Sequence, residues 1–295
     1  MKGIHTALMT MFDTNGQIDK EATRKLVRYN LDHCKVDGML ACGTIGEMFN
    51  MPMGMCKTVL ETVADENNKC GKLFANVGAN IFEDAVELAD FAYEMGYSGV
   101  SLVPPFYYKY TTQEIIDYYR RFADRSKLPV FIYNIPGFSP YAFTLNDYET
   151  LFKHEQIIGT KFSHNDYSLL ERLRLRCPEA VLFTGFDDYL FFALTLGTDG
   201  AIGGSYNIVG HWAKELFDEM QKGNYNQALA IQHNICTVLE KLGSVGLFAG
   251  IKAVLALEGV GIGNCKTPMS PTNDAQRAMA KEVLEFIQTV DAAKK

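Results

Sequence analysis

A lysine ends an apolar stretch of the chain that otherwise has the character of a buried strand. The stretch is IIGTKFS, residues 157–163, and the lysine is Lys161. Burying an ammonium group without a partner is costly, and apolar neighbours favour the neutral amine. A neutral amine can attack a ketone carbonyl and form a Schiff base. Lys161 is therefore a candidate nucleophile. The alternatives are that it is the first solvated residue after the strand, or that it pairs with a carboxylate.

Two other apolar runs end in groups that suit the same chemistry. The sequence GTIGE, residues 43–47, predicts a tight loop with a hydroxyl at Thr44. Loops of this kind can offer backbone N–H groups to an anion. The sequence YNIPG, residues 133–137, begins with a tyrosine at the end of a predicted strand. The phenol of Tyr133 could reach the space beside Lys161, although an ordinary strand aromatic is the alternative.

Two further loops carry acidic or small residues. The sequence GFDD, residues 185–188, places two carboxylates after a strand, and Asp187 alternatively caps the next helix. The sequence GGSYN, residues 203–207, begins with small residues that let a ligand approach the backbone. If the strands form a parallel barrel, all these loops share one rim with Lys161.

The elements that must position these groups are short apolar strands alternating with longer helical patterns. The predicted strands cover residues 4–9, 38–42, 73–77, 99–103, 130–133, 157–161, 180–184 and 200–202. Eight strands alternating with eight helices predict a (β/α)8 barrel. A doubly wound sheet is the main alternative, but the first strand is not followed by a glycine-rich phosphate loop.

The helical segments show apolar residues three and four positions apart. Asp19 is the predicted N-cap of a helix over 19–35, and the almost wholly apolar segment 188–197 is expected to pack deep. Further helices are predicted over 83–96, 111–125 and 168–177. After Gly223 three more helices follow, over 224–243, 246–259 and 272–290. We therefore predict a barrel over 1–223 and a helical extension over 224–295, packed as one structural unit.

Composition and charge exclude several classes of function. The net charge of −7 and the absence of a basic run argue against nucleic-acid binding. No stretch reaches the roughly 18 apolar residues that span a membrane, and the first residues lack the long apolar core and small-residue cleavage site expected of a signal peptide. Seven cysteines without a C-x-x-C pair predict reduced, mostly buried thiols in a cytoplasmic protein. Six scattered histidines predict no metal site.

Five motifs together, in this order, resemble the N-acetylneuraminate lyase / dihydrodipicolinate synthase family over nearly the whole chain. They are GTIGE, YNIPG, GTKFS, GFDD and GGSYN. The resemblance implies a (β/α)8 barrel with C-terminal helices, in a homotetramer that is a dimer of dimers. It also implies class I aldolase chemistry on pyruvate or another 2-oxo acid, through a covalent imine and without a metal or organic cofactor.

The resemblance also implies roles for individual residues. Lys161 matches the Schiff-base lysine, and Tyr133 matches the tyrosine that relays protons beside it. Thr44 matches a hydroxyl that contacts the pyruvyl carboxylate or the relay. Tyr107 matches a tyrosine that family members lend to the neighbouring subunit. The implied substrate-binding residues are Ile45, Phe138, Ser163, Gly185, Asp187, Asp188, Gly203, Gly204 and Ser205.

Four departures from the family pattern bear on the substrate. Phe138 stands where the synthases have an arginine for the carboxylate of aspartate semialdehyde, and a phenyl ring cannot bind an anion in that way. Ile45 replaces a common threonine, Gly204 a common serine and Asp188 a common glutamate. We therefore expect cleavage of N-acetylneuraminate to N-acetylmannosamine and pyruvate. The alternatives are cleavage or dehydration of another 2-oxo-3-deoxy sugar acid, dihydrodipicolinate synthesis, and non-catalytic binding of a 2-oxo acid.

Overall fold

The strands of this chain form a closed parallel barrel. The computed structural model describes residues 1–294. The strands are β1 (Gly3–Ala7), β2 (Gly38–Ala41), β3 (Lys72–Asn76), β4 (Gly99–Leu102), β5 (Val130–Asn134), β6 (Ile157–Phe162), β7 (Val181–Thr184) and β8 (Gly200–Gly203). Each strand pairs in parallel with its sequence neighbours, and β8 closes on β1. The predicted barrel is confirmed, and the doubly wound alternative is wrong because the sheet has no open edge.

Each strand is followed by a helix, and three more helices follow the last of these. The helices are α1 (Lys20–Arg28), α2 (Met53–Asn67), α3 (Phe82–Glu94), α4 (Thr112–Arg125), α5 (Leu145–Leu151), α6 (Tyr167–Arg176), α7 (Leu190–Thr195), α8 (Tyr206–Lys222), α9 (Tyr225–Gly243), α10 (Leu247–Leu257) and α11 (Asp274–Ala292). The three C-terminal helices agree with prediction, whereas the division at residue 223 stays a prediction. Within residues 1–294, none of the helices has the length and apolar character to cross a membrane.

The boundaries of the first strand and helix follow from side-chain hydrogen bonds. Asp19 is the N-cap of α1 as predicted, and its Oδ1 accepts the Ala22 N–H at 2.9 Å. β1 ends at Ala7, two residues before the predicted end. The Met9 N–H donates to Asn207 Oδ1 at 3.2 Å, and Asn207 Nδ2 donates to the Ala7 carbonyl at 2.7 Å. A side chain of α8 therefore replaces the partner strand at this point.

The prediction that segment 188–197 packs deep is wrong for most of its length. Its helix, α7, has only six residues, and of these only Leu190 and Ala193 are buried. Phe192 is 47% exposed. Because a helix of fewer than two turns presents a single narrow face to the core, most of its apolar side chains remain at or near the surface.

Aromatic rings fill the barrel interior next to Lys161. His5 packs edge-on against Phe74 and Phe183, with ring centroids 5.2 and 5.1 Å apart. Burial lowers the pKa of His5 to about 3, so this imidazole is neutral at pH 7 and packs as an aromatic ring. Phe183 is also the register partner of Lys161. Since the interior is packed, chemistry on a substrate is confined to the end of the barrel where the strands finish.

Candidate active site

Lys161 and Tyr133 are neighbours on adjacent strands. β5 and β6 pair in register at these two residues, because consecutive strands of the barrel lie side by side. The Lys161 Nζ donates to Tyr133 Oη at 3.0 Å and lies 4.2 Å from the centroid of the same ring. Lys161 is only 3% exposed, and within residues 1–294 its amine forms no ion pair. The two non-catalytic alternatives, a solvated position and a carboxylate partner, are therefore wrong.

A third group extends this contact to the loop after β2. Thr44 Oγ1 lies 3.1 Å from Tyr133 Oη. The loop is tight: both Cys42 and Glu47 have positive φ, and the Glu47 N–H donates to the Thr44 carbonyl at 3.0 Å. The amine of Lys161, the phenol of Tyr133 and the hydroxyl of Thr44 thus form a chain in which each group is within hydrogen-bonding distance of the next. This arrangement suits the transfer of a proton to or from a group bound at the amine.

The three groups open into one cavity at the carboxyl ends of the strands. Its volume is about 330 Å³. The other predicted site residues that line it are Ile45, Phe138, Ser163, Gly185, Asp187, Asp188 and Gly204. Gly203 and Ser205 are buried and do not line the cavity. The structure therefore brings most of the predicted residues together around Lys161.

Gly185 lies so close to Ser163 and Lys161 that it leaves no room for a side chain. A Cβ at this position would lie 1.9 Å from Ser163 Oγ and 3.2 Å from Lys161 Cε. Any larger residue would therefore displace the serine or the lysine. Ser163 Oγ is buried and has no hydrogen-bond partner within residues 1–294. Because buried hydroxyls are normally bonded, Ser163 is a candidate donor or acceptor for a bound ligand.

The two carboxylates after β7 have different surroundings. Asp187 is buried; its Oδ1 accepts the Gly204 N–H at 3.2 Å, and its Oδ2 accepts the Ser205 N–H at 2.6 Å. Burial raises the pKa of Asp187, and hydrogen bonds from Ser205 oppose that rise. Asp188 is exposed at the cavity, and partial burial also raises its pKa. The N-cap alternative for Asp187 is wrong, because its side chain holds the loop after β8 and not its own helix.

Ile45 and Gly204 fit each other in the wall of the cavity. A Cβ on Gly204 would lie 2.7 Å from Ile45 Cδ1, so a side chain at 204 would require the tip of the isoleucine to move. The two departures from the family pattern therefore lie next to each other in the cavity wall. Neither residue brings a hydroxyl, and this wall is consequently apolar.

Part of the cavity wall comes from helices that the sequence did not connect with the site. Leu239 and Gly243 of α9 line it, as do Leu247 and Phe248 of α10. Their apolar spacing is the same as that of helices that only fill the core. The sequence therefore contained no signal that would separate a cavity-lining helix from a packing one.

Two predicted aromatic residues are largely exposed. Phe138 lines the cavity while remaining 69% exposed. Tyr107 is 78% exposed and packs edge-on against Tyr108, with ring centroids 5.0 Å apart. It does not line the cavity of its own chain. Its contribution to the site of a neighbouring subunit stays a prediction.

Known proteins resemble this chain over nearly its full length. The model of the Dihydrodipicolinate synthetase family matches residues 1–287. An N-acetylneuraminate lyase from Fusobacterium nucleatum is 40% identical over 283 residues, which are 96% of this chain and 98% of that protein. A crystal structure of N-acetylneuraminate lyase from Fusobacterium nucleatum complexed with pyruvate has a TM-score of 0.92 at 39% identity, and the match covers 97% of this chain and 96% of that one.

A second solved structure agrees. It is CdNal from Clostridium difficile in complex with mannosamine, with a TM-score of 0.94 at 37% identity, covering 97% of this chain and 98% of that chain. The match spans the barrel and the C-terminal helices alike. Because the family model, the relatives and the fold agree over nearly every residue, this chain belongs to the dihydrodipicolinate synthetase family.

Proposed function

We propose that this chain is a class I aldolase that cleaves N-acetylneuraminate to N-acetylmannosamine and pyruvate through an imine on Lys161. The observation that carries the proposal is the buried amine of Lys161, which lies 3.0 Å from a phenol and forms no ion pair within residues 1–294. The 35–40% identity to N-acetylneuraminate lyases supports the choice of substrate.

The reaction requires the imine to act as an electron sink. The Lys161 amine attacks the C2 ketone of the opened sugar acid, and loss of water gives a protonated imine. As the C3–C4 bond breaks, its electron pair moves toward the iminium nitrogen and leaves an enamine. The C4 hydroxyl loses its proton, and the carbon becomes the aldehyde of N-acetylmannosamine. Since the iminium accepts the electrons, this step needs no metal or organic cofactor.

Tyr133 and Thr44 are placed to handle the protons. Together with the carboxylate of the substrate, they would accept the proton of the C4 hydroxyl through the contacts of 3.0 and 3.1 Å described above. Protonation of the enamine at C3 and attack of water on the imine then release pyruvate and the free Lys161 amine. The loop that carries Thr44 would hold the carboxylate through its backbone N–H groups.

One observation favours a second class of substrate. The apolar contact between Ile45 and Gly204 offers no hydroxyl to the sugar, which favours a 2-oxo-3-deoxy acid with fewer polar groups at that position. Pyruvate release from a panel of sugar acids distinguishes the two. N-acetylneuraminate is expected to have the highest kcat/KM, and a higher value for another acid would move the assignment to that substrate.

The same panel tests the synthase alternative. Pyruvate and aspartate semialdehyde are expected to give negligible heterocyclic product, because Phe138 provides no cation for the semialdehyde carboxylate. A coupled reductase assay measures this product. Rapid product formation in that assay would contradict the assignment to the lyase branch.

Asp188 is the carboxylate that we expect to hold the polyol tail of the sugar. It is exposed in the cavity, and a carboxylate accepts several O–H bonds. Asp188→Asn should lower kcat/KM for N-acetylneuraminate, with a loss of transition-state stabilisation of about 1–3 kcal/mol. Imine formation with pyruvate, which has no tail, should stay unchanged in borohydride trapping.

Asp187→Asn is the matched comparison for this prediction. Its carboxylate holds two backbone N–H groups of the loop after β8, so the amide of asparagine would place a donor opposite a donor. We expect a lower melting temperature and slower reaction with both pyruvate and the sugar acid. A loss confined to the sugar acid in Asp187→Asn, or equal losses in both substrates for Asp188→Asn, would contradict this division of roles.

A further inference from the structure

A completely buried ion pair lies outside the groups that the proposed reaction uses. Lys252 of α10 donates to Glu47 Oε1, and both side chains are 0% exposed. Lys252 Nζ also donates to the Asn264 carbonyl at 3.0 Å and lies 4.5 Å from the centroid of the Phe12 ring. Glu47 Oε2 accepts the Lys266 N–H at 2.7 Å. Both charges are therefore fully enclosed by specific partners.

Stability alone does not account for such a pair. Removing two charges from water is costly, and well-packed apolar residues of similar volume often replace a buried pair without loss. Glu47 also has a φ of +60°, a backbone region that non-glycine residues rarely adopt. The fold therefore accepts two unfavourable features at one residue, and a role in positioning would account for both.

The location of Glu47 indicates what the pair positions. Glu47 ends the loop over 43–47, and its N–H donates to the carbonyl of Thr44 at 3.0 Å. The preceding carbonyl, of Gly46, accepts the Thr10 hydroxyl at 2.6 Å. The turn places the Thr44 hydroxyl beside Tyr133 and ends at Glu47. The side chain of Glu47 is in turn bound by residues of the C-terminal region, Lys252 and Lys266.

The location of Lys252 adds a second connection. It lies on α10, the helix that also contributes Leu247 and Phe248 to the cavity wall. The pair joins residues 205 positions apart in sequence. The ion pair therefore connects the cavity-lining helix directly to the loop that carries Thr44.

We propose that Glu47 and Lys252 are positioning residues: their ion pair holds the loop over 43–47 against α10 so that Thr44 Oγ1 stays in contact with Tyr133 Oη. The inference rests on the proposed function, because it takes the contact between Thr44 and Tyr133 as part of the proton relay. Neither Glu47 nor Lys252 lines the cavity, so neither is expected to touch the substrate.

The test is the neutral double variant Glu47→Gln/Lys252→Met, which removes both charges and keeps the side-chain volumes similar. We expect a folded protein whose kcat for N-acetylneuraminate is lower by about 10- to 100-fold, the scale of a small misplacement of catalytic groups, while KM changes by less than about threefold. Its crystal structure should show the Thr44 Oγ1 to Tyr133 Oη contact of 3.1 Å broken.

A matched control removes a partly buried carboxylate that has no link to the cavity. Asp291 accepts hydrogen bonds from Trp212 and His211, and joins α11 to α8. Asp291→Asn should lower the melting temperature while kcat stays within about threefold of the wild-type value, since the relay is not displaced. If kcat decreases in proportion to the decrease in melting temperature in both variants, Glu47 and Lys252 have only a structural role, and the proposal is overturned.

Three outcomes separate this inference from the proposed function. If the wild type forms no imine with pyruvate, the proposed function fails, and the crystal structure of the double variant still decides the positioning role. A retained contact between Thr44 and Tyr133, or an unchanged kcat, in that variant overturns the inference. If the double variant does not fold, the nearly isosteric Glu47→Gln takes its place, and failure of that variant to fold would also assign the pair to folding alone.

Discussion

Incubation of the protein with pyruvate and borohydride is expected to leave a reduced three-carbon adduct on Lys161 and on no other lysine. The Lys161 amine is buried, free of a carboxylate partner within residues 1–294, and open to the cavity. An amine placed in this way can condense with the ketone of pyruvate to form an imine, and borohydride reduces the imine to a stable secondary amine. Intact mass and peptide mapping measure the adduct and its position.

Lys252 provides an internal control for this experiment. It is as buried as Lys161, but its ammonium group is paired with Glu47, so it should remain unmodified. Lys161→Met, which keeps the apolar stem of the side chain, should lose the adduct and lower kcat by on the order of 10⁴-fold or more. The exposed Lys153→Ala should behave as the wild type. An adduct at another lysine, or turnover by folded Lys161→Met, would refute the Schiff-base assignment.

Tyr133→Phe is expected to lower kcat by about 10²- to 10⁴-fold, the range for loss of a general acid–base group. The substitution keeps the ring that packs beside the Lys161 Nζ and removes only the hydroxyl between Lys161 and Thr44. Both imine formation and bond cleavage should be slower, because each step moves a proton at this site. Stopped-flow trapping with pyruvate and steady-state turnover of the sugar acid measure the two steps.

Tyr119→Phe is the matched control for the relay. Tyr119 is also a fully buried tyrosine, and its hydroxyl donates to the Leu102 carbonyl at 2.8 Å. Its side chain does not line the cavity. Loss of this hydrogen bond should lower stability by about 1 kcal/mol and leave kcat unchanged. If Tyr119→Phe and Tyr133→Phe lose activity equally, the phenol of Tyr133 has no special role in the reaction.

The sequence by itself determined the barrel and the pairing of Lys161 with Tyr133. Short apolar runs, helical spacing between them and small or polar residues at the strand ends are local properties, and they predict the order of elements. Consecutive strands of a parallel barrel are neighbours. Two residues at the ends of strands five and six must therefore lie side by side, and the register of β5 and β6 places them opposite each other.

Other features of the site were decided only by the tertiary structure. Apolar spacing identifies the buried face of a helix without naming its partner, so the wall formed by α9 and α10 could not be predicted. The fit of Ile45 against Gly204 depends on closure of the barrel. The hydrogen bonds from Asp187 to the loop after β8 depend on it as well. The same is true of the ion pair between Glu47 and Lys252. Each of these joins residues from different loops or helices, and their distances exist only once the chain has closed around the core.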